Sequence, residues 1–413
     1  MQSERLAEST NTELLEDTTT PSGEAALVEA QVAILTAGEF AIESSRVPST
    51  AIAQELLVLR GRLLRASSEI FPRWLSELNK HGYTPLLRHG PPDAPGKVEL
   101  HILRGAARRE PERLTTVLVL FALTVLSTLF VGSLATEAGM AAATWREALH
   151  PRTLLGGWPF ALALLSILLA HELGHYFAAR YHGVAVTLPY FIPMPLGFGT
   201  MGAVIQMREP LSDRRKLFDI GVAGPLAGLV LAIPLWVAGL LTSPIQRIEG
   251  QDGAMQLGTS LLTKIADGVI FGWLRPEIPA GSDVFVNQVG FAAWIGLLVT
   301  AINLLPVGQL DGGHTVFALF GERARRVNLA VLGFMALLGV AGLPPVQRLL
   351  PALEPYGFTG WFFWLFLVVA VIGPFHPPAL DDVTELDGKR RLIGFVVLAL
   401  FVLIFIPSPL RLL

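Results

Sequence analysis

Apolar and polar positions mix in short patches through the first hundred residues, and from Leu114 onward they separate into long apolar runs. Such runs fill 114–136, 158–181, 219–242, 289–305, 327–343, 359–374 and 392–407. Each is at or near the roughly 18–20 residues that cross a hydrocarbon core about 30 Å thick, so seven transmembrane helices are predicted. Two apolar stretches do not fit that form. Val186 to Met207 is broken by Pro189, Pro193, Pro195, Gly197, Gly199 and Gly202, which a regular helix does not tolerate. Its alternating ends predict a membrane-embedded β-hairpin or re-entrant loop, allowed at that depth only where protein or water satisfies the backbone. Ser260 to Phe271 has the one-sided pattern of a helix lying in the membrane interface.

Ahead of the spans, residues 1–45 are of mixed polarity with few aromatics, the composition of a disordered or loosely helical lead. Residues 46–110 predict a small cytoplasmic α+β domain. Ile52, Leu56, Leu57, Leu59, Leu63 and Leu64 are spaced as one face of a helix over Ala51–Ala66. A short helix from Phe71, an extended segment at Tyr83–Leu87 and an alternating strand at Val98–Ile102 follow. Residues 111–413 are then the membrane-embedded domain, with its catalytic core at about 155–320. The fold class expected is a polytopic α-helical membrane protein carrying a small soluble N-terminal domain.

Composition sharpens this picture. Of 413 residues, 52% are hydrophobic and only 16% charged, against about a quarter charged in soluble domains, so lipid is the solvent for much of the chain. A net charge of −3 offers no basic field for nucleic acid. With no cysteine, a metal would have to be held by His and carboxylate. The acidic, Ser/Thr-rich Met1–Pro21 reads as neither signal nor transit peptide. Basic clusters precede the first, third, fifth and seventh spans: Arg104–Arg113, Arg208–Lys216, Arg323–Arg326 and Lys389–Arg391. All fall on one side if the N-terminus is cytoplasmic, which predicts N-in, C-out insertion; the cell (inner) membrane is the default location, with an internal photosynthetic membrane as the alternative.

The second span ends in His171-Glu172-Leu173-Gly174-His175. His171 lies roughly 20 Å along the helix from Trp158, inside the bilayer and toward the cytoplasmic half. Two imidazoles four residues apart share a helix face and can grip one ion. Glu172 is then placed to take a proton from water and pass it to a leaving amine. Each such ionisable group costs about 2.5–3.5 kcal/mol on insertion scales, and a divalent cation offsets that cost. Tetrahedral catalytic zinc needs a third protein ligand. Asp311 is the leading candidate, because it follows the fourth span, which runs in the same direction as the second. Pro306 breaks the helix before it, and Gly312 and Gly313 permit close approach. An N-cap role for Asp311 and a ligand role for His314 are the alternatives. Asn303 suits either an oxyanion donor or an interhelical hydrogen bond.

With Asn303, Pro306, Asp311 and Gly312 beside the His-Glu-x-x-His helix, the chain resembles the site-2 protease family of intramembrane zinc metalloproteases. Phe218–Gly228 and His376–Asp382 are similar to its bacterial, cyanobacterial and chloroplast branch, which lacks a PDZ domain. Where many relatives have Gly-Pro-x-x-Asn, this chain has Gly228. The resemblance implies Zn2+ held by His171, His175 and Asp311, with Glu172 as general base and acid and Asn303 polarising the scissile carbonyl. It also implies transmembrane protein substrates cut in or near the bilayer; the extended Met201–Met207 suits either edge pairing with an unwound substrate strand or a membrane-embedded structural loop. The competing classes are a metal-ion transporter, disfavoured by the lack of internal repeats, and a non-catalytic membrane chaperone or scaffold of the same family. Oligomeric state is not encoded in any motif here.

Overall fold

The computed structural model describes residues 23–48, 55–91, 94, 96–105, 113–195, 197–248, 255–275 and 277–412. It divides into two compact units, one holding the N-terminal residues with 209–215 and 378–385, the other holding the rest.

In the first unit, helix α1 (Gly23–Leu35) leads to β1 (Phe40–Arg46), β2 (Glu55–Leu63), α2 (Ser67–Lys80), β3 (Tyr83–His89) and β4 (Val98–Arg104). The sheet order is β1-β2-β4-β3, antiparallel throughout. Two expectations are corrected here. The helix predicted for Ala51–Ala66 is strand β2 over its described part, with 51–54 outside the described residues. Leu56 to Leu59 are all buried at the centre of the sheet, and a continuous apolar run marks a central strand whose two faces are both covered. The lead predicted for 1–45 is outside the described residues up to 22. From Gly23 it is α1 and β1, because Ala25, Val28, Val32 and Phe40 supply part of the same core as Trp74 and Leu100. The domain therefore begins before residue 46.

It also recruits sequence from far downstream. The Leu87 N–H donates to the Leu380 carbonyl (2.7 Å), and the Asp382 N–H returns the bond to Leu87 (3.1 Å). Asp381 in turn donates to Ser212 (2.7 Å), and Leu380 enters the hydrophobic core. Residues 378–385 thus act as a further strand beside β3, with 211–213 beyond. The Asp381 carboxylate accepts from the backbone N–H groups of Val383 and Thr384 and from the Thr384 hydroxyl. Burial nonetheless raises its pKa above the usual carboxylate range.

In the second unit every one of the seven predicted segments lies on helix. These helices are α3 (Leu114–Ser133), α4 (Trp158–Tyr181), α5 (Arg214–Thr242) and α7 (Gln288–Asn303). Further on come α8 (Asp311–Phe320) with α9 (Ala324–Ala341), α10 (Gly360–Leu367, extended by a wide turn to Ile372) and α11 (Gly388–Ile404). Four of them, counting α8–α9 as one, are long and apolar enough to cross a membrane; α7 and α10 are shorter apolar helices. The protein is an integral membrane protein of helical type. Between α5 and α7 lies α6 (Leu261–Val269), opened by a capping box between Ser260 and Thr263. Leu261, Ile265 and Val269 stand exposed one turn apart on it, the apolar stripe expected at an interface.

Small residues set the helix spacing around α4. A Cβ on Gly174 would lie 2.5 Å from the Ala223 carbonyl oxygen of α5, and one on Gly296 of α7 would lie 2.8 Å from Ile167. Such close approach substitutes for the missing hydrophobic drive between helices in lipid. Between α4 and α5, β5 (Tyr190–Met194) and β6 (Gly199–Val204) pair antiparallel, and a bridge joins Val186 to Met207. The strands dock on α3, where Ser127 donates to the Gly199 carbonyl (2.5 Å). Gly199 has φ +82°, and a Cβ there would sit 2.8 Å from Thr128 Cα, so both conformation and space call for glycine.

Candidate metal centre

The site assembles where α4, α5, α7 and α8 meet. Along α4 the buried residues Phe160, Ala163, Leu164, Ile167, Leu168, His171, Glu172 and His175 form one stripe at helical spacing, so the apolar packing that fixes α4 also aims the polar turn inward. His171, Glu172 and His175 are 3%, 5% and 7% exposed, which shields them from bulk water.

Three donor atoms converge from two segments far apart in sequence. His171 Nε2 is 3.2 Å from His175 Nε2 and 3.2 Å from Asp311 Oδ2. His175 Nε2 is 3.4 Å from Asp311 Oδ1. A tetrahedral ion with bonds of 2.0–2.1 Å, as zinc forms, needs ligand atoms about 3.3 Å apart. The separations match that length, with each imidazole facing a different oxygen of the Asp311 carboxylate, and the donor set of two imidazoles and a carboxylate fits such an ion. Behind it, His175 Nδ1–H donates to the Ile220 carbonyl (2.7 Å), which leaves Nε2 as the free donor atom and fixes the ring.

The chain leading to Asp311 is shaped for this. After α7 ends at Asn303, Gly308 takes φ +60°. A Cβ on Gly312 or Gly313 would lie 2.0–2.2 Å from the carbonyl oxygens of Leu304 and Gly308. Those glycines let the turn fold back and start α8 at the depth of the histidines. Asp311 is the first residue of α8, whose cap position is Leu310, and its carboxylate turns to the imidazoles rather than to the helix end. His314 is not in the triad: its ring stands edge-on to His376, with centroids 4.7 Å apart. Asn303 Nδ2 lies 3.4 Å from His171 Nε2, so its amide faces the same centre. The backbone of Ile205, just past β6, lies within hydrogen-bonding reach of the Glu172 carboxylate.

Two features were not foreseen from sequence. Gly224 and Gly228 of α5 form the floor: a Cβ on Gly224 would fall 2.1 Å from His175 Nε2, and one on Gly228 would fall 3.3 Å from His171 Nδ1. Gly228 therefore backs directly onto a candidate ligand. Gly224→Ala is expected to displace His175 and weaken metal binding by about 10–100-fold, the scale on which ligand orientation matters; a competition titration against a chelating dye measures it. The second feature is Asp219, next to Ile220. It accepts from Arg390 (2.6 and 2.8 Å) and pairs with His182 (2.9 Å). This cluster ties the ends of α4, α5 and α11 together and holds the carbonyl that orients His175. A lone His, Asp and Arg at positions 182, 219 and 390 give no sequence signal for it.

Fold and site together define a helical membrane protein with a His/His/Asp constellation that could hold a metal ion among its helices. Residues 159–342, which include all three donors, match the model of peptidase family M50. The chain is 33% identical over 253 residues to a protein of Arabidopsis thaliana named probable zinc metalloprotease EGY1, chloroplastic, covering 60% of this chain and 42% of the relative. It is 30% identical over 261 residues to probable zinc metalloprotease EGY2, chloroplastic, of the same plant, covering 62% and 43%. The EGY1 counterpart of Oryza sativa subsp. japonica is 33% identical over 259 residues, covering 60% and 40%. The chain thus spans about two-fifths of the length of these relatives. No solved structure matches it.

Proposed function

We propose that this protein is an intramembrane zinc metalloprotease that hydrolyses peptide bonds in the transmembrane segments of other proteins. The carrying observation is the convergence of His171, His175 and Asp311, whose nearest donor atoms lie 3.2–3.4 Å apart pairwise, with Glu172 one residue from the first ligand. The names of the relatives, zinc metalloproteases, support the same metal and reaction. When bound, zinc supplies Lewis acidity toward a peptide carbonyl and a water molecule. Glu172 removes the proton from the attacking water and returns it to the departing amine nitrogen. Asn303 donates its amide N–H to the carbonyl oxygen as negative charge develops there. Burial of the whole group excludes competing water and strengthens each of these interactions.

A helical substrate must unwind before its carbonyl reaches the metal. β6 suits that step: it ends beside Glu172, pairs with β5 on one edge among the described residues, and leaves Met201 and Val204 exposed. An unwound substrate segment would add to β6 as a strand, with main-chain hydrogen bonds supplying register. In this reading the β5–β6 hairpin is membrane-embedded and the chain crosses seven times with its N-terminus cytoplasmic, as the basic clusters favour. The N-terminal α+β domain is then cytoplasmic, and the inner cell membrane is the proposed setting.

Incubating purified protein with single-span test substrates, with and without a zinc chelator, tests the reading. Cleavage that stops on chelation and returns on adding zinc is expected. Substrate binding indifferent to the chelator, with no cleavage in either arm, would instead identify a scaffold.

A further inference from the structure

Away from the metal centre the second unit holds a cavity of about 440 Å3, bounded by the last turns of α5, by α6, by β7 (Ser282–Val284) and by the start of α7. None of the metal-centre residues lines it. The lining carries two carboxylates, Asp267 and Asp283, and the aromatic side chains of Trp236, Phe271, Phe285 and Phe291, but no Lys, Arg or His among the described residues. Asp283 accepts one hydrogen bond, from the Val284 N–H (2.7 Å). Arg275, the neighbouring cation, is committed elsewhere: it donates to the carbonyls of Leu240 and Ser243 and lies over the Phe271 ring. Trp236 is 5% exposed, and its indole N–H has no hydrogen-bond partner among the described residues.

We propose that this cavity binds an organic ammonium group carried on an apolar stem. Asp267 is half-buried and Asp283 is exposed, and with no cation between them the half-buried carboxylate is costly unless a positive charge arrives. Burial and the charge of Asp283 push the Asp267 carboxyl up to about 6, the mark of an uncompensated pair. Aromatic faces attract an ammonium group and tolerate its hydrocarbon stem. The volume lies within the range of roughly 300–1,000 Å3 found for small-molecule sites. A calcium ion is a poorer match, since it asks for six to eight oxygen ligands and ten of the sixteen lining residues have aromatic or aliphatic side chains. The unpaired Trp236 N–H offers one more contact, to an acceptor oxygen on the same ligand. Both a lysine side chain of a peptide and a free amphiphilic amine have this chemistry.

The test is calorimetric titration of the full chain in zwitterionic nanodiscs with n-hexylammonium, 1-hexanol, calcium, and the peptide acetyl-Leu-Lys-Leu-amide. Saturable one-to-one binding of hexylammonium is expected, weakened about tenfold or more in Asp267→Asn and in Asp283→Asn, with hexanol and calcium inert. Peptide binding tighter than hexylammonium, and weakened by Trp236→Phe, would assign the lysine source; hexylammonium binding alone would assign the free amine. Using both single variants guards against a misfolded double one, and zinc content reports that each remains folded. No saturable hexylammonium binding, equal binding by either Asn variant, or equal binding of hexanol or calcium would overturn the proposal.

Discussion

Glu172→Gln is expected to keep the full complement of metal while its cleavage rate falls by about a thousandfold or more. The substitution preserves the shape and burial of the side chain on α4 but removes the proton acceptor, and positioned acid–base groups contribute roughly 10²–10⁴-fold. His171, His175 and Asp311, which form the triad, are untouched. Single-turnover cleavage of a labelled single-span substrate, with zinc content determined on the same preparation, measures both quantities. The inactive variant should also retain bound substrate long enough to be isolated with it. Loss of metal in Glu172→Gln would make the glutamate a structural member of the site rather than its base.

Asp311→Ala and His314→Ala should behave oppositely, although the residues are one helical turn apart. Asp311 supplies oxygens 3.2 and 3.4 Å from the two imidazole nitrogens, so its loss leaves two ligands where tetrahedral zinc needs three from the protein. Zinc affinity is expected to drop by more than about a hundredfold, beyond the range seen for losing a mere orienting partner, and cleavage should vanish with it. His314, packed against His376 and Gly221, should yield a variant that still binds zinc. Retention of zinc in Asp311→Ala with loss in His314→Ala would transfer the third ligand position.

What the sequence disclosed, and what it hid, follows from the range of the interactions. The His-Glu-x-x-His turn is local: four residues of α-helix bring two imidazoles together whatever else the chain does. Long apolar runs are equally local signals, because lipid demands an internally hydrogen-bonded helix of set length, and all seven fell on helix. Asp311 was legible through Pro306 and the paired glycines that interrupt a helix at the right depth. Misreading arose where tertiary context decides. Leu56–Leu59 satisfy a helical face on paper, yet the flanking strands β1 and β4 bury both sides of them. Leu380 and Asp381, which the sequence marks only through the His376–Asp382 resemblance, add to the N-terminal sheet, nearly 300 residues from Leu87. The floor made by Gly224 and the Asp219 cluster behind His175 were silent for the same reason. Their meaning lies in a neighbouring helix that no window along the sequence contains.

The central claim, that two imidazoles one helical turn apart and a distant aspartate hold one zinc ion inside the helical bundle, is tested most directly by the zinc X-ray absorption spectrum of the purified protein. One zinc per chain is predicted, with two imidazole nitrogens at about 2.0–2.1 Å and the remaining ligands oxygen. A spectrum without paired imidazole scattering, or cleavage-competent protein that carries no zinc, would contradict it.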